Sequence, residues 1–161
     1  MLRLKTSLSR LFSWPQRQAG SRANYPYRTI LAVTPLACEH NTLRVLALLE
    51  GWHLRIAPTL DVAIQFRREE AITAIIYDSD LPGVEWRNGV ASLLTGFPPV
   101  CLVLLSFTTR EPIRLNLIDK GGWDVAQKPI QGGTLVPIIK GYLALTRDID
   151  VSSWTRVLQR Q

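Results

Sequence analysis

Short apolar runs alternate with segments of helical periodicity from residue 28 to about residue 146. Each run has the length of a buried strand, and the segments between them repeat apolar residues every three or four positions. The predicted strands are Thr29–Val33, His53–Ala57, Thr73–Tyr77, Val100–Leu105 and Trp123–Gln127. The predicted helices are Glu39–Glu50, Asp61–Glu70, Glu85–Leu94, Pro112–Lys120 and a last one through Leu135, Ile138, Ile139, Tyr142 and Leu143. This alternation indicates a parallel sheet covered by helices on both faces.

The ends of two helices can be predicted from single residues. Gly51 follows the first predicted helix in the position where glycine commonly ends one. For the last helix, Thr134 is the predicted N-terminal cap, because a threonine hydroxyl accepts a hydrogen bond from a backbone N–H of the first turn. Pro137 then falls in the first turn, where a missing N–H is tolerated.

Composition and charge describe a globular chain with a basic start. Of its 161 residues, 47% are apolar and 20% are charged, and the net charge is +6. The first 28 residues contain no acid and six basic residues, namely Arg3, Lys5, Arg10, Arg17, Arg22 and Arg28. The remaining chain holds 13 basic and 13 acidic residues and is therefore neutral. Its basic residues show no interleaved aromatic platform, so no nucleic-acid partner is expected.

The pattern divides the chain into a basic arm with a linker (1–28), one folded domain (29–146) and a short extension (147–161). Residues 1–14 place Leu4, Leu8 and Leu11 on one side of a helix, as in segments that contact membranes or partners. A loosely ordered terminus and an organellar transit peptide are the alternatives. No apolar run reaches the ~18 residues of a membrane-spanning helix. Cys38 and Cys101 are far apart in sequence, which indicates a reducing compartment and a cytoplasmic location.

Three polar side chains follow three of the predicted strands. Asp78 comes directly after the third strand, Ser106 after the fourth and Lys128 after the fifth. The carboxyl ends of parallel strands meet at one edge of a sheet, where α/β proteins of this type place their sites. A carboxylate, a hydroxyl and an ammonium group at one edge can bind and neutralise an anion.

The residues around these three positions resemble the receiver domain of bacterial two-component response regulators. The matching pieces are Ile-Ile-Tyr-Asp-Ser-Asp-Leu-Pro-Gly at 75–83, Leu-Leu-Ser at 104–106 and Lys-Gly-Gly-Trp-Asp-Val-Ala-Gln-Lys-Pro at 120–129. The resemblance implies a flavodoxin-like (βα)5 sandwich with a five-stranded parallel sheet of order 2-1-3-4-5. It also implies that Asp78 accepts a phosphoryl group from a histidine kinase, while Ser106 and Lys128 contact that group.

The metal site of the family is altered in this sequence. Receivers carry two acids after the first strand, which hold a magnesium ion together with the acceptor aspartate; here Thr34 and Pro35 stand at those positions. Magnesium requires oxygen ligands in octahedral geometry, and these two residues are poor substitutes for carboxylates. Asp80 is a possible residual ligand, and Glu39 is the nearest acid on the loop that follows the first strand. Neither replaces the missing pair, so no cofactor is expected. Magnesium is expected only if Asp78 is phosphorylated.

Three further residues depart from the family pattern. Phe107 stands where receivers have a small residue beside the switch hydroxyl, and its ring is expected to crowd Asp78. Val125 occupies the position of the aromatic residue that moves on activation. Trp86 stands where a glycine is frequent.

The retained residues also have purely structural interpretations. Asp78 and Lys128 would persist as a buried ion pair, Ser106 as a partner of a strand-end backbone group, and the Lys128–Pro129 step as a cis bond that shapes a loop. His40 and His53 are interpreted as solvated or helix-flanking residues. Cys101 lies in a central strand and is predicted to belong to the core.

We therefore predict a stand-alone, degenerate receiver, not an enzyme, that acts through protein–protein contacts. Its partner would be a signalling protein, either a histidine kinase or an output protein, and a homodimer is a further possibility. About 15 residues follow the last helix, too few for a DNA-binding output domain. The first alternative is a working phosphorelay receiver that is phosphorylated on Asp78. The second is a small flavodoxin-like enzyme or nucleotide-binding domain with a ligand pocket at the strand ends.

Overall fold

The computed structural model describes residues 28–146, which form one parallel sheet and five helices. The strands are β1 (Thr29–Val33), β2 (His53–Ala57), β3 (Ala74–Asp78), β4 (Cys101–Ser106) and β5 (Asp124–Gln127). The helices are α1 (Ala37–Glu50), α2 (Leu60–Glu69), α3 (Trp86–Leu94), α4 (Glu111–Asp119) and α5 (Gly132–Leu145). The strand order is β2-β1-β3-β4-β5 with all neighbours parallel, which confirms the predicted flavodoxin-like fold. The predictions for the basic arm and for the extension lie outside the described residues.

Alternate residues of each strand face opposite sides of the sheet and build two separate cores. One side chain set packs under α2, α3 and α4 and includes Leu31, Val33, Ile75, Tyr77, Leu102, Leu104 and Val125. The other set packs under α1 and α5 and includes Ile30, Ala32, Ile76, Cys101, Val103 and Leu105. Cys101 is fully buried there, as predicted from its place in a central strand. Strands buried on both faces explain why β1, β3 and β4 read as continuous apolar runs in the sequence.

The start of α5 differs from the prediction. The helix begins at Gly132 with Gln131 as its cap, and Gln131 accepts backbone hydrogen bonds from Thr134 and Leu135. Thr134 is therefore not the cap, and Pro137 lies inside the helix and not in its first turn. At its start α5 lies close to α1, because a Cβ atom at Gly132 would lie 2.5 Å from Leu46 Cδ2. Glycine lets α5 begin in direct contact with α1.

A second close approach positions the strand that carries Asp78. The Tyr77 hydroxyl is fully buried against α3, where a Cβ atom at Gly89 would lie 2.5 Å from the Tyr77 ring carbon Cζ. Within residues 28–146 that hydroxyl has no hydrogen-bond partner, and burial with the nearby Asp78 charge raises the pKa of Tyr77 to about 12. Tyr77 therefore stays neutral and acts as a large packing group between β3 and α3.

The helices of this face are joined by a buried guanidinium group. Arg67 of α2 donates hydrogen bonds to the carbonyl oxygens of Leu93 (3.1 Å) and Pro98 (3.0 Å), and its Cζ lies 4.7 Å from the centre of the Phe97 ring. Burial lowers the pKa of Arg67. Its contacts fix the end of α3 and the loop that leads into β4. In this part of the chain, no helix is long and apolar enough to cross a membrane.

Candidate functional site at the carboxyl ends of the strands

Asp78 is the last residue of β3, and the loop after it is held by its own carboxylate. The Asp80 backbone N–H donates to Asp78 Oδ1 at 2.9 Å, and the Leu81 N–H donates to the Asp78 carbonyl oxygen at 3.2 Å. Such a turn, built on an aspartate side chain, is typical of the residue type. Gly83 then takes a positive φ of 76°, which favours glycine. The carboxylate is therefore fixed in position at the edge of the sheet, where only 1% of Asp78 is exposed.

Lys128 brings its ammonium group into contact with that carboxylate. Its Nζ lies 2.7 Å from Asp78 Oδ1, 3.2 Å from Asp80 Oδ2 and 3.9 Å from Glu39 Oε1. The Lys128–Pro129 peptide bond that follows is cis, as the sequence interpretation allowed. The predicted Asp78–Lys128 ion pair is thus present, and one ammonium group is shared by three carboxylates.

Thr34 connects the end of β1 to the same group. Its hydroxyl lies 2.5 Å from Glu39 Oε2 and 3.3 Å from Asp78 Oδ2, and it accepts a hydrogen bond from the Leu36 N–H. Because the hydroxyl carries one proton, it donates mainly to the closer carboxylate of Glu39. Thr34 is fully buried, and its carbonyl oxygen accepts a hydrogen bond from His40 Nε2 at 2.7 Å. His40 is half-buried and is hydrogen-bonded to the backbone of the site, so it is not simply a solvated residue.

Burial and charge act in opposite directions on the ionisable groups of the site. Burial raises the pKa of Glu39, although the hydrogen bond from Thr34 and the charge of Lys128 oppose this shift. For Lys128, burial alone would lower the pKa, but the hydrogen bond and charge of Asp78, with Asp80 and Glu39, raise it above its usual value. Lys128 therefore remains positively charged, while burial favours the protonated form of Glu39.

Two residues of β4 and its loop complete the edge. Ser106 is buried, and its hydroxyl accepts a hydrogen bond from the Thr108 N–H at 3.2 Å, as in the structural interpretation of this residue. The Phe107 ring, 67% exposed, lies over the ammonium group of Lys128 with 4.7 Å between Nζ and the ring centre. A ring in this position covers Lys128 from the solvent side.

A cavity of about 370 Å³ opens elsewhere, beside Val100 and Trp123 at the amino ends of β4 and β5.

The fold of this chain is shared with solved receiver domains. The receiver domain protein of Methanospirillum hungatei has a TM-score of 0.71 at 17% identity, over 78% of this chain and 100% of that one. The receiver domain of a putative LuxO repressor from Vibrio parahaemolyticus has a TM-score of 0.69 at 20% identity, over 76% and 94% of the two chains. No protein-family model matches the sequence, and no curated protein matches it significantly. The chain has the receiver-domain fold.

A third similar structure is a complex. The receiver domain of Ssk1 from Saccharomyces cerevisiae, solved together with the histidine phosphotransfer protein Ypd1, has a TM-score of 0.66 at 18% identity. That match covers 80% of this chain and 97% of the other one. It shows that the receiver fold found here also occurs in a domain that binds a signalling partner.

The residues after β1 differ from the magnesium-binding acids that the receiver fold implies. Thr34 and Pro35 supply no carboxylate after β1, and the three nearby acids already surround the ammonium group of Lys128. Among the described residues, no group of three or more acidic, histidine or cysteine side chains is arranged to hold a metal ion. Asp80 stays a predicted residual ligand, and it lies 3.2 Å from the lysine nitrogen.

The remaining departures from the receiver pattern fall at well-defined places. Val125 is a buried core residue of β5, so its position contains no aromatic ring that could move. Trp86 begins α3 and is half-buried, with the Arg87 guanidinium 4.6 Å above its ring. Both residues are packed or covered by their neighbours within this receiver fold.

Glu39 is the site residue that the sequence interpretation misplaced. The predicted helix begins at Glu39, which is not expected to replace the missing acids, whereas α1 begins two residues earlier and places Glu39 in its first turn. Helical side chains point back toward the start of their helix, which brings Glu39 to Thr34 at the end of β1. The signal was present in the sequence as a glutamate at the third position of a helix, where it commonly reaches back over the helix start.

Proposed function

We propose that this chain is a degenerate receiver that acts by binding a signalling protein and does not depend on phosphoryl transfer to Asp78. The observation that supports this proposal is the shared ammonium group: Lys128 Nζ contacts Asp78 and Asp80 and approaches Glu39, while Thr34 and Pro35 occupy the positions of the metal-binding acids. The positive charge next to Asp78 is therefore supplied by a side chain of the protein, Lys128.

A phosphoryl group that approaches Asp78 would meet an unfavourable field. It brings additional negative charge to an edge that already contains three carboxylates, and no metal-binding set is present to compensate for it. Lys128 would have to release Asp78 and pass from one anion to another. The Phe107 ring covers the same ammonium group and would have to move as well.

Protein contacts are supported by exposed apolar side chains on the helices. On α4, Leu115 and Ile118 are half or more exposed, and this helix belongs to the last two helix–strand units, where receivers often meet partners. A partner that recognises this surface, a histidine kinase or an output protein of a two-component pathway, would be bound by shape and apolar contact.

The proposal is tested by exposing the full chain to acetyl phosphate and magnesium and measuring its intact mass. We expect the mass to stay unchanged, as it does for the Asp78→Asn variant treated in the same way. A stoichiometric phosphoryl adduct that is absent from Asp78→Asn would contradict the proposal.

The same measurement decides on the second candidate function, a receiver that is phosphorylated on Asp78. This candidate is favoured by one observation: the carboxylate of Asp78 and the ammonium group of Lys128 are 2.7 Å apart, so the acceptor and its pairing lysine are already positioned together. It predicts the adduct that the first proposal excludes. A partner histidine phosphotransfer protein, used as donor in place of acetyl phosphate, extends the test to transfer between proteins.

A further inference from the structure

The outer face of α1 carries an apolar stripe that nothing covers in residues 28–146. Val45, Leu48 and Leu49 are 58%, 83% and 74% exposed, and they follow the i, i+3, i+4 spacing of one helix face. The inner face of the same helix packs on the sheet through Leu43 and Ala47. Residues 45–49 are therefore apolar on both the inner and the outer face of α1, which is the property of a helix segment that is covered on both faces.

This stripe is more than a scatter of single surface leucines. Residues 45–49 read Val-Leu-Ala-Leu-Leu without a polar residue, and runs of exposed apolar residues usually mark a contact surface. The area is nevertheless small. A stable interface between two folded proteins buries about 800 Å² on each partner, much more than three aliphatic side chains expose. The stripe fits a short peptide segment better than a second copy of the domain.

We propose that the stripe is the docking site of residues 147–161 of the same chain. Their apolar residues Trp154, Val157 and Leu158 have the same i, i+3, i+4 spacing as Val45, Leu48 and Leu49. Two faces with matching spacing can pack along each other, and the tryptophan supplies the largest apolar area. This inference concerns a different face from the Asp78 edge and is independent of the proposed function.

The connection of the segment makes the contact geometrically accessible. Residue 147 follows α5, which packs beside α1: Lys140 Nζ lies 2.6 Å from Glu50 Oε2, and Gly132 lies against Leu46. Seven residues lie between Thr146 and Trp154, and the eight Cα–Cα steps from one to the other span up to about 27 Å in an extended chain. The whole of α1, with 14 residues, is about 21 Å long.

Charge favours this segment over the basic arm at the other end of the chain. Arg44 is exposed beside the stripe, and its described partner is the neutral side chain of Asn41 at 3.3 Å. Residues 147–161 balance Arg147, Arg156 and Arg160 with Asp148 and Asp150, whereas residues 1–28 contain six basic residues and no acid. Arg44 therefore repels the strongly basic arm more than it repels residues 147–161, and salt screens both effects.

Hydrogen exchange of the full chain, followed by mass spectrometry of its peptides, tests the proposal. We expect the amides of residues 151–158 to be protected and the double variant Leu48→Ser, Leu49→Ser to speed their exchange by about tenfold or more. The matched control, Leu115→Ser with Ile118→Ser on α4, removes two exposed apolar side chains elsewhere and should leave that exchange unchanged. The reciprocal variant, Trp154→Ser with Leu158→Ser, should speed exchange in the second half of α1.

Each competing occupant gives a different result, and each would overturn the proposal. Residues 151–158 that exchange at the rate of an unfolded chain, or protection that the Leu48 and Leu49 substitutions leave intact, would remove the docking contact. Protection that disappears on dilution would indicate a second copy, and protection of residues 4–12 that depends on Leu48 and Leu49 would indicate the basic arm. Protection of the stripe that appears only with anionic lipid vesicles would indicate a membrane surface.

Discussion

The two halves of the strand-end site have changed to different extents. The half formed by β3, β4 and β5 keeps the aspartate, the hydroxyl and the lysine of the receiver pattern, and it places Asp78 and Lys128 2.7 Å apart. The half formed by β1 and α1 has lost both acids and contains Thr34 and Pro35 instead, with Glu39 reaching in from the helix. The same backbone fold therefore places Asp78 and Lys128 together although the residues after β1 differ from the receiver pattern.

Removal of Lys128 from the β3–β5 half of the site should have the largest effect on stability. In Lys128→Met, Asp78 and Glu39 stay buried without their cation, and loss of one partner of a buried pair typically costs about 3–5 kcal/mol. We expect a loss of that size in the free energy of unfolding, measured by urea denaturation at pH 7. At pH 3, Glu39, whose pKa burial raises, is protonated and needs no cation, and the loss should shrink.

A matched control separates this effect from the removal of any positive charge. Arg114→Met removes a cation whose NH1 atom lies 3.3 Å from Asp124 in a half-exposed pair, which is worth less than about 1 kcal/mol. Equal losses in the two variants would contradict a central role for Lys128.

The stability of the wild-type protein should also depend on pH through Lys128. Burial opposes the charge of this lysine, but the contact with Asp78 raises its pKa above the usual value of about 10.4. A raised pKa in the folded state adds stability that is fully present below the unfolded-state pKa and is lost as the pH rises through the folded one. We expect alkaline unfolding to begin above about pH 10.4. Tyr77, whose pKa burial raises to about 12, also loses stability in this range. Lys128→Met should therefore show a shallower fall in stability than wild type in a pH series of denaturation curves.

Restoration of the altered half should create a metal site. We expect Thr34→Asp with Pro35→Asp to strengthen magnesium binding by about tenfold or more, since two carboxylates would join Asp78 at the end of β1. Isothermal titration calorimetry measures this gain. Thr108→Asp with Thr109→Asp adds the same charge to the neighbouring loop and should not bind the ion. If the first variant binds no better than wild type, the assignment of Thr34 and Pro35 to the acid positions is wrong.

Neutralisation of Glu39 should raise the free energy of unfolding, by less than removal of Lys128 lowers it. Burial raises the pKa of Glu39, so the folded state favours the protonated form and charging the residue costs stability as the pH rises through that pKa. Glu39→Gln keeps a partner for the Thr34 hydroxyl and should stabilise the protein at pH 7 by about 1 kcal/mol or less. The gain should vanish near pH 3, in thermal denaturation at both values. A loss at pH 7 would show that the attraction to Lys128 dominates.

Removal of the covering ring should have the smallest effect. Phe107→Ala deletes a ring 4.7 Å from Lys128 Nζ, and an exposed cation–π contact of this kind is worth about 0.5–1 kcal/mol. A modest fall in the melting temperature is expected. A rise would indicate that the exposed ring costs more than its contact with the lysine contributes.

The sequence was sufficient for the fold and for half of the site. Strand and helix periodicity predicted a parallel sheet covered on both faces, and the resemblance to receiver domains implied its strand order. The positions of Asp78 and Lys128 at strand ends predicted their contact. The start of α5 was not predictable from local sequence, since it involves a contact between Gly132 and Leu46 of a distant helix. Glu39 was missed for a related reason: whether it reaches Thr34 depends on where α1 begins, and element boundaries follow tertiary packing as much as local sequence.

The most direct test of the account is the binding of a phosphoryl mimic. Beryllofluoride with magnesium is added to the full chain, and the fluorine NMR spectrum is recorded for wild type, for Asp78→Asn and for Thr34→Asp with Pro35→Asp. We expect the wild-type spectrum to show only the free beryllofluoride species, like the spectrum of Asp78→Asn, because Lys128 already neutralises Asp78. Bound fluorine resonances in the wild type that disappear in Asp78→Asn would contradict the central claim.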